Sequence, residues 1–206
     1  MLPDKKELII KTATQLFAEK GYEGTSIRDL ATAAGVNIAM VNYYFGSKDK
    51  LFEAMVEHKS VFIREKLEEI ASDNSTTDIE KIDLIIENYV FRFLSQPHYH
   101  RLIHQELMLK SREILHDKII NNFVKNTQII IGIIKQGIRK KEFNKVDPEL
   151  TFASIIGTIN QIMLSKQMCI TLINKEKDFD PYTNEDFKKR LLTHLKQIIH
   201  THLLIK

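Results

Sequence analysis

The 206-residue chain contains a single cysteine, Cys169, so it has neither an internal disulfide nor a cysteine-rich zinc module, which suits a reducing compartment. That thiol reads as a small apolar filler, because redox activity requires an activating environment. The seven glycines form neither a dinucleotide fingerprint nor a phosphate-binding loop, and no Gly-x-Ser-x-Gly elbow occurs. No acid–base pair stands out by spacing, so neither an enzyme nor a cofactor is expected. The longest pure Ile/Gly run, IIIGII at 129–134, is far too short to span a bilayer, and the opening MLPDKKE is charged where a signal peptide needs an apolar stretch. A cytoplasmic protein with no membrane partner is the expectation. A broad basic field is missing too, with 30 Lys and Arg against 27 Asp and Glu and a net charge of +3. If the N-terminal segment binds DNA, it does so by placing particular donors. There is no strand pattern and no internal repeat.

What is present is helical periodicity, with 43% hydrophobic residues to supply a core. The pattern predicts an all-α fold of about nine helices. Leu8, Ile9, Thr12, Ala13, Leu16 and Phe17 share one face, and Gly21 stops that helix. Ser26 with Asp29 makes a capping box for a helix that leaves through Gly35. Asn37 caps a stretch running to about Tyr44, and Gly46-Ser47 resets the chain for a long helix carrying Leu51, Phe52, Met55, Val56, Leu67 and Ile70. Thr77 with Glu80 opens a helix over about 78–95, which stops before Pro97, and further helices are expected over 98–109 and 111–141. Asp147-Pro148 starts one over 148–170, and Thr183 with Asp186 opens a last one bearing Phe187, Leu191, Leu195, Ile198 and Leu203.

Two short helices joined by AGVN (residues 34–37) have the pattern of a helix-turn-helix, whose second helix enters the major groove. That helix must bury one side and free the other. Val41, Tyr44 and Phe45 are expected to anchor inward, with Ile38, Ala39, Met40, Asn42 and Tyr43 facing the groove. The Asn42 amide suits a base edge such as adenine, and the Tyr43 hydroxyl suits a phosphate. Lys48, at the start of the next helix, is expected to hold another phosphate.

Across LFAEKGYEGTSIRDLATAAGVNIAMVNYYFGSKDKLFEAM, residues 16–55, the chain resembles the DNA-binding domain of the TetR family of transcriptional regulators. The resemblance rests on Leu16-Phe17, Lys20-Gly21-Tyr22, Thr25-Ser26-Ile27, Ala34-Gly35-Val36, Tyr44-Phe45 and Ser47 to Leu51. It implies that Thr25 and Ser26 meet phosphates, that Arg28 reaches a base or phosphate, and that Asn37 to Tyr43 form the groove-facing surface. Tyr44 is implied to be part anchor and part phosphate contact, with Lys48 closing the backbone clamp. Position 42 is often aromatic in the family; with Asn42 here, that phosphate contact shifts to Tyr43.

The same resemblance divides the chain into a DNA-binding domain at 1–47 and an effector-binding and dimerisation domain at 48–206. It implies a homodimeric repressor on a pseudo-palindromic double-stranded operator, released by a small hydrophobic effector. Candidate pocket residues are Tyr89, Phe93, His104, Met108, Phe123, Ile130 and Ile134; candidate dimer residues are Ala153, Gly157, Leu191, Leu195 and Ile198. Two other readings stand beside this one. His98, His100, His104 and His116 permit a metal-sensing regulator, or Cys169 a redox-sensing one, although Arg101 occupies the place where a zincin needs Glu. The other alternative is a helical module that binds protein without specific DNA recognition.

Overall fold

The computed structural model describes residues 4–109, 113–173, 176 and 178–205, without the side chains of 113–115. Residues 1–3 of the charged opening stretch lie outside them. The described residues form ten helices: α1 Lys5–Lys20, α2 Ile27–Ala33, α3 Ile38–Phe45, α4 Lys48–Ser72, α5 Asp78–Ser95, α6 Pro97–Met108, α7 Glu113–Arg139, α8 Pro148–Leu164, α9 Lys166–Leu172 and α10 Glu185–Leu203. None is long and apolar enough to cross a membrane.

Most of the expected caps are present because they are local hydrogen bonds. Asp29 N–H donates to Ser26 Oγ at 3.1 Å while Ser26 N–H donates back to the Asp29 carboxylate at 2.9 Å. Thr77 and Glu80 repeat that exchange, and Asp147 accepts from Leu150 N–H with Pro148 behind it. Gly35 leaves α2 at φ +64°, in the left-handed region where a side chain is strained. Two expectations are corrected. The helix expected over 148–170 breaks at Ser165, whose extended backbone ends α8 and whose hydroxyl caps α9 at Met168 N–H. The last helix is capped by Asn184 rather than Thr183, its side chain accepting from Phe187 N–H at 2.8 Å.

The chain forms two compact units, one of residues 1–63 with 98–124 and one of 64–97 with 125–206. This partition differs from the expected boundary after residue 47, because the first turns of α4 belong to the first core. There Leu51, Phe52, Met55 and Val56 pack with Ile9, Ala13, Phe17, Leu30, Val41 and Phe45, joined by Leu102 of α6 and Ile119 of α7. In the second unit α10 packs on α5 and α8, and α8 on α5 and α9. Its core includes Ile82, Ile85, Ile86, Ile130, Ile134, Phe152, Ile159 and Leu195.

The end of α7 is a Schellman turn. Glu142 N–H reaches Gly137 O at 3.0 Å and Lys141 N–H reaches Ile138 O at 3.1 Å, with Lys141 itself at φ +60°. Beyond it the buried Phe143 makes an isolated bridge to Leu204.

Candidate nucleic-acid interface

The surface of α3 follows from its helical pitch. Val41 and Phe45, four residues apart, lie on one face and are 1% and 7% exposed, in the core of the first unit. Asn37, Ile38, Ala39, Asn42 and Tyr43 are exposed, and Tyr43 is 84% so. The Asn37 side-chain oxygen is already committed to capping, accepting from Met40 N–H at 2.7 Å. Two orientations differ from expectation. Tyr44 is exposed rather than an inward anchor, its ring against Tyr43 at 5.3 Å, because one helical step turns it off the Val41–Phe45 face. Met40 takes the opposite course and packs partly against the core.

Just before α2, Thr25 is 1% exposed and its hydroxyl donates to Gly21 O at 2.8 Å, so the side chain expected to face a phosphate is folded inward. Ser26 is exposed, with its hydroxyl held in the capping box. Hydrogen bonds from the Ser26 hydroxyl and N–H hold the Asp29 carboxyl below the usual carboxylate range. Arg28 is exposed on α2, which packs on α3.

Lys48 is half-buried and turned inward, donating to Tyr22 O and Thr25 O, each at 3.0 Å. Tyr22 and Asp49, linked by the Tyr22 hydroxyl donating to the Asp49 carboxylate, belong to this arrangement and carried no assigned role in the sequence. Their one signal was membership of the Lys20-Gly21-Tyr22 and Ser47-to-Leu51 marks, which names no partner.

This buried anchor and exposed polar face sit within residues 9–55, the stretch that matches the profile for bacterial regulatory proteins, tetR family. Across more of the chain, 142 residues are 32% identical to the probable HTH-type transcriptional regulator YttP of Bacillus subtilis (strain 168), covering 67% of each protein. The chain belongs to the TetR family. It is a DNA-binding transcriptional regulator with an N-terminal helix-turn-helix. The fatty acid metabolism regulator protein of Bacillus subtilis is 29% identical over 155 residues, 74% of this chain and 78% of that one. The crystal structure of the transcriptional regulator FadR from Bacillus subtilis in complex with stearoyl-CoA shares the fold at a TM-score of 0.69, with 24% identity over 92% of this chain and 96% of that one.

Among TetR-type pocket candidates, Tyr89, Phe93, Ile130 and Ile134 lie in the second unit. Tyr89 packs on Phe93 at 5.9 Å and on Phe152 at 6.3 Å, and burial pushes its phenol well above the usual range, keeping it a protonated donor. His104, Met108 and Phe123 fall in the first unit, where Met108 is 78% and Phe123 48% exposed, unlike residues of an enclosed lining.

The dimer candidates also separate. Ala153 and Gly157 face outward on α8, and Ile198 is exposed on α10. Leu191 and Leu195 are buried inside the second unit, where the inward seam continues through Ile199 and Leu203 instead of Ile198. Beside Gly157 a groove of 760 Å³ is lined by Gln161, Leu172, Phe187, Arg190 and His194, among others.

Among the described residues no three His, Cys, Asp or Glu side chains gather as a metal site requires. His98 Nδ1 lies 3.0 Å from the Arg101 guanidinium, and His116 lies 3.8 Å from Asp117. Cys169 is 1% exposed and burial pushes its thiol up, which disfavours the reactive thiolate.

Proposed function

We propose that this TetR-family regulator is a non-enzymatic, cytoplasmic homodimer that represses transcription from a pseudo-palindromic operator and leaves it when an apolar small molecule binds. The observation that carries the DNA-reading part is the division of α3, with Val41 and Phe45 fixed in the core and Asn42 and Tyr43 exposed. Asn42 pairs with a base edge, adenine being the best fit to its paired donor and acceptor, and Tyr43 donates to a phosphate. Ser26, Arg28, Asn37, Ile38, Ala39 and Tyr44 complete the DNA-facing surface.

Dimerisation brings α8 and α10 against their copies across a two-fold axis. Ala153 and Gly157 let the helix backbones approach closely, while exposed Leu150, Leu172 and Ile198 supply apolar contact. The two recognition helices then address half-sites about 34 Å apart, one turn of DNA. For the effector we propose a long-chain acyl thioester, received in the second unit near Tyr89, Phe93, Ile130 and Ile134. The support is the apolar aromatic character of that cluster together with the acyl ligand named for the Bacillus subtilis FadR complex. The ligand must favour a conformation with mismatched half-site spacing, since only differential affinity shifts an equilibrium.

The test is enrichment of genomic fragments by the purified protein, followed by fluorescence anisotropy on the best fragment with and without stearoyl-CoA. A palindrome bound by two protomers and released by the thioester is expected. Enrichment without release would discard the effector class, and failure to enrich any sequence by a folded dimer would discard the operator reading.

A further inference from the structure

On α7, Ile119 and Asn122 stand three residues apart and so share one helical face. Ile119 belongs to the core of the first unit and is 4% exposed; Asn122 is equally buried at 4%, although it carries an amide. Its Oδ1 has no hydrogen-bond partner among the described residues. A buried amide with one end unpaired is costly, and exchanging its oxygen and nitrogen only leaves a donor unpaired instead. Such a group calls for a partner, and Asn122 stands in the wall of a cavity able to admit one.

That cavity is a groove of about 400 Å³, inside the range of about 300–1,000 Å³ common to small-molecule sites. All of its lining belongs to the first unit. The apolar part is Phe45, Ala54 and the ring of Tyr44, whose centroid lies 6.2 Å from that of Phe45. Around it stand the exposed Lys6, Lys50 and Lys118, three cations against the two carboxylates of Glu53 and Glu57.

The walls specify an occupant. A flat ring suits the two aromatic side chains, and one negative charge balances the single surplus cation. A hydroxyl both donates and accepts, so it meets the Asn122 amide in either orientation. We propose that this groove is a ligand site in the DNA-binding unit for a small phenolic acid, its carboxylate among the lysines and its hydroxyl on Asn122. Near neutral pH such a molecule has an ionised carboxylate and a neutral phenol. The site shares no residue with the apolar cluster of the second unit assigned to the acyl effector.

Occupancy reaches DNA through α3. Tyr44 and Phe45 are the last residues of that helix, and Tyr44 belongs to its DNA-facing surface. A carboxylate beside Tyr44, Lys6 and Lys50 repels the phosphates that this surface approaches, so the bound acid weakens operator binding. This last step rests on the DNA-binding reading, whereas ligand binding does not and is measured without DNA.

Isothermal titration calorimetry of the full chain with 4-hydroxybenzoate, and with benzoate as the analogue lacking the hydroxyl, tests the site. One 4-hydroxybenzoate per chain is expected, with a dissociation constant of about 1 mM or tighter. Benzoate is expected to bind about tenfold more weakly, the scale of one lost hydrogen bond. Asn122→Leu keeps the volume and removes the amide; it is expected to weaken 4-hydroxybenzoate about tenfold and benzoate not at all. Lys118→Gln is expected to weaken both ligands. Absence of saturable binding to the wild type, equal affinity for the two ligands, or wild-type discrimination in folded Asn122→Leu would each overturn the proposal. If Asn122→Leu does not fold, the two-ligand comparison in the wild type and the Lys118→Gln titration decide between them. Anisotropy on the enriched fragment then reads the coupling, with saturating 4-hydroxybenzoate expected to lower operator affinity. Unchanged affinity, where the protein alone binds the fragment, would overturn that coupling; a protein that binds the acid but no fragment would overturn the DNA-binding reading instead.

Discussion

Gly137 and Gly132 lie on the same helix, α7, in the same compact unit, yet alanine should act on them with opposite sign. A methyl group at Gly137 would come within 2.4 Å of Phe143 Cδ2, 2.5 Å of Cε2 and 2.8 Å of Cγ. The ring cannot simply swing away. Phe143 is 3% exposed, its N–H reaches Gly137 O at 3.2 Å, and its backbone pairs with Leu204. Alanine gains about 1 kcal/mol over glycine in a helix, but overpacking a closed site costs about 1–3 kcal/mol. A net loss of up to about 2 kcal/mol follows, which for a chain of this size lowers Tm by up to about 8 °C. At Gly132 nothing lies within 4 Å of the added methyl, so the helix gain stands alone and Tm should rise by about 1–4 °C. Far-UV circular dichroism melts of the two variants at one protein concentration make the comparison. A Gly137→Ala melt at or above that of Gly132→Ala would refute the argument, since it would mean that Phe143 relocates at no cost.

Asn42→Ala should weaken operator binding by about 1–3 kcal/mol and broaden base choice at one position per half-site, read by binding to a panel of single-base operator variants. Uniform weakening on all sequences would mean that Asn42 touches the backbone instead. Gly157→Lys should leave the helical circular dichroism intact and shift sedimentation toward monomer, because the residue faces outward on α8; a persistent dimer would move the interface elsewhere. Asp29 provides a pH test. Its folded-state pKa lies below the ordinary 3.8 through its Ser26 hydrogen bonds, so its stabilising contribution is full above that value and fades as pH falls through the lower folded one. The stability gap between wild type and Asp29→Asn should accordingly narrow below about pH 4, and a gap that widens on acidification would reverse the assigned sign.

Much of the helix map was legible because caps act over three or four residues. Ser26 with Asp29, Asn37 with Met40 and Thr77 with Glu80 needed no distant partner to be recognised. The boundary between α8 and α9 failed because a cap there competes with continuing periodicity. The apolar pattern runs through Ser165, and the extended backbone there breaks the helix all the same. At the interface, the four-residue spacing of Val41 and Phe45 identified the buried side of α3, but Tyr44 and Met40 sit near its edge, where a fraction of a helical turn decides between solvent and core.

Local hydrogen bonding and helical pitch thus settle where the helices begin and which stripe of α3 is anchored, and both are written in near-neighbour residue types. The destinations of side chains depend on partners far along the chain. Lys48 reads from the sequence as a free cation, and only the fold brings carbonyls 26 and 23 residues away onto two of its three donors. In the same way, α10 carries Ile198 and Ile199 side by side, and only the packing of that helix on α5 and α8 leaves the first in solvent and puts the second in the core.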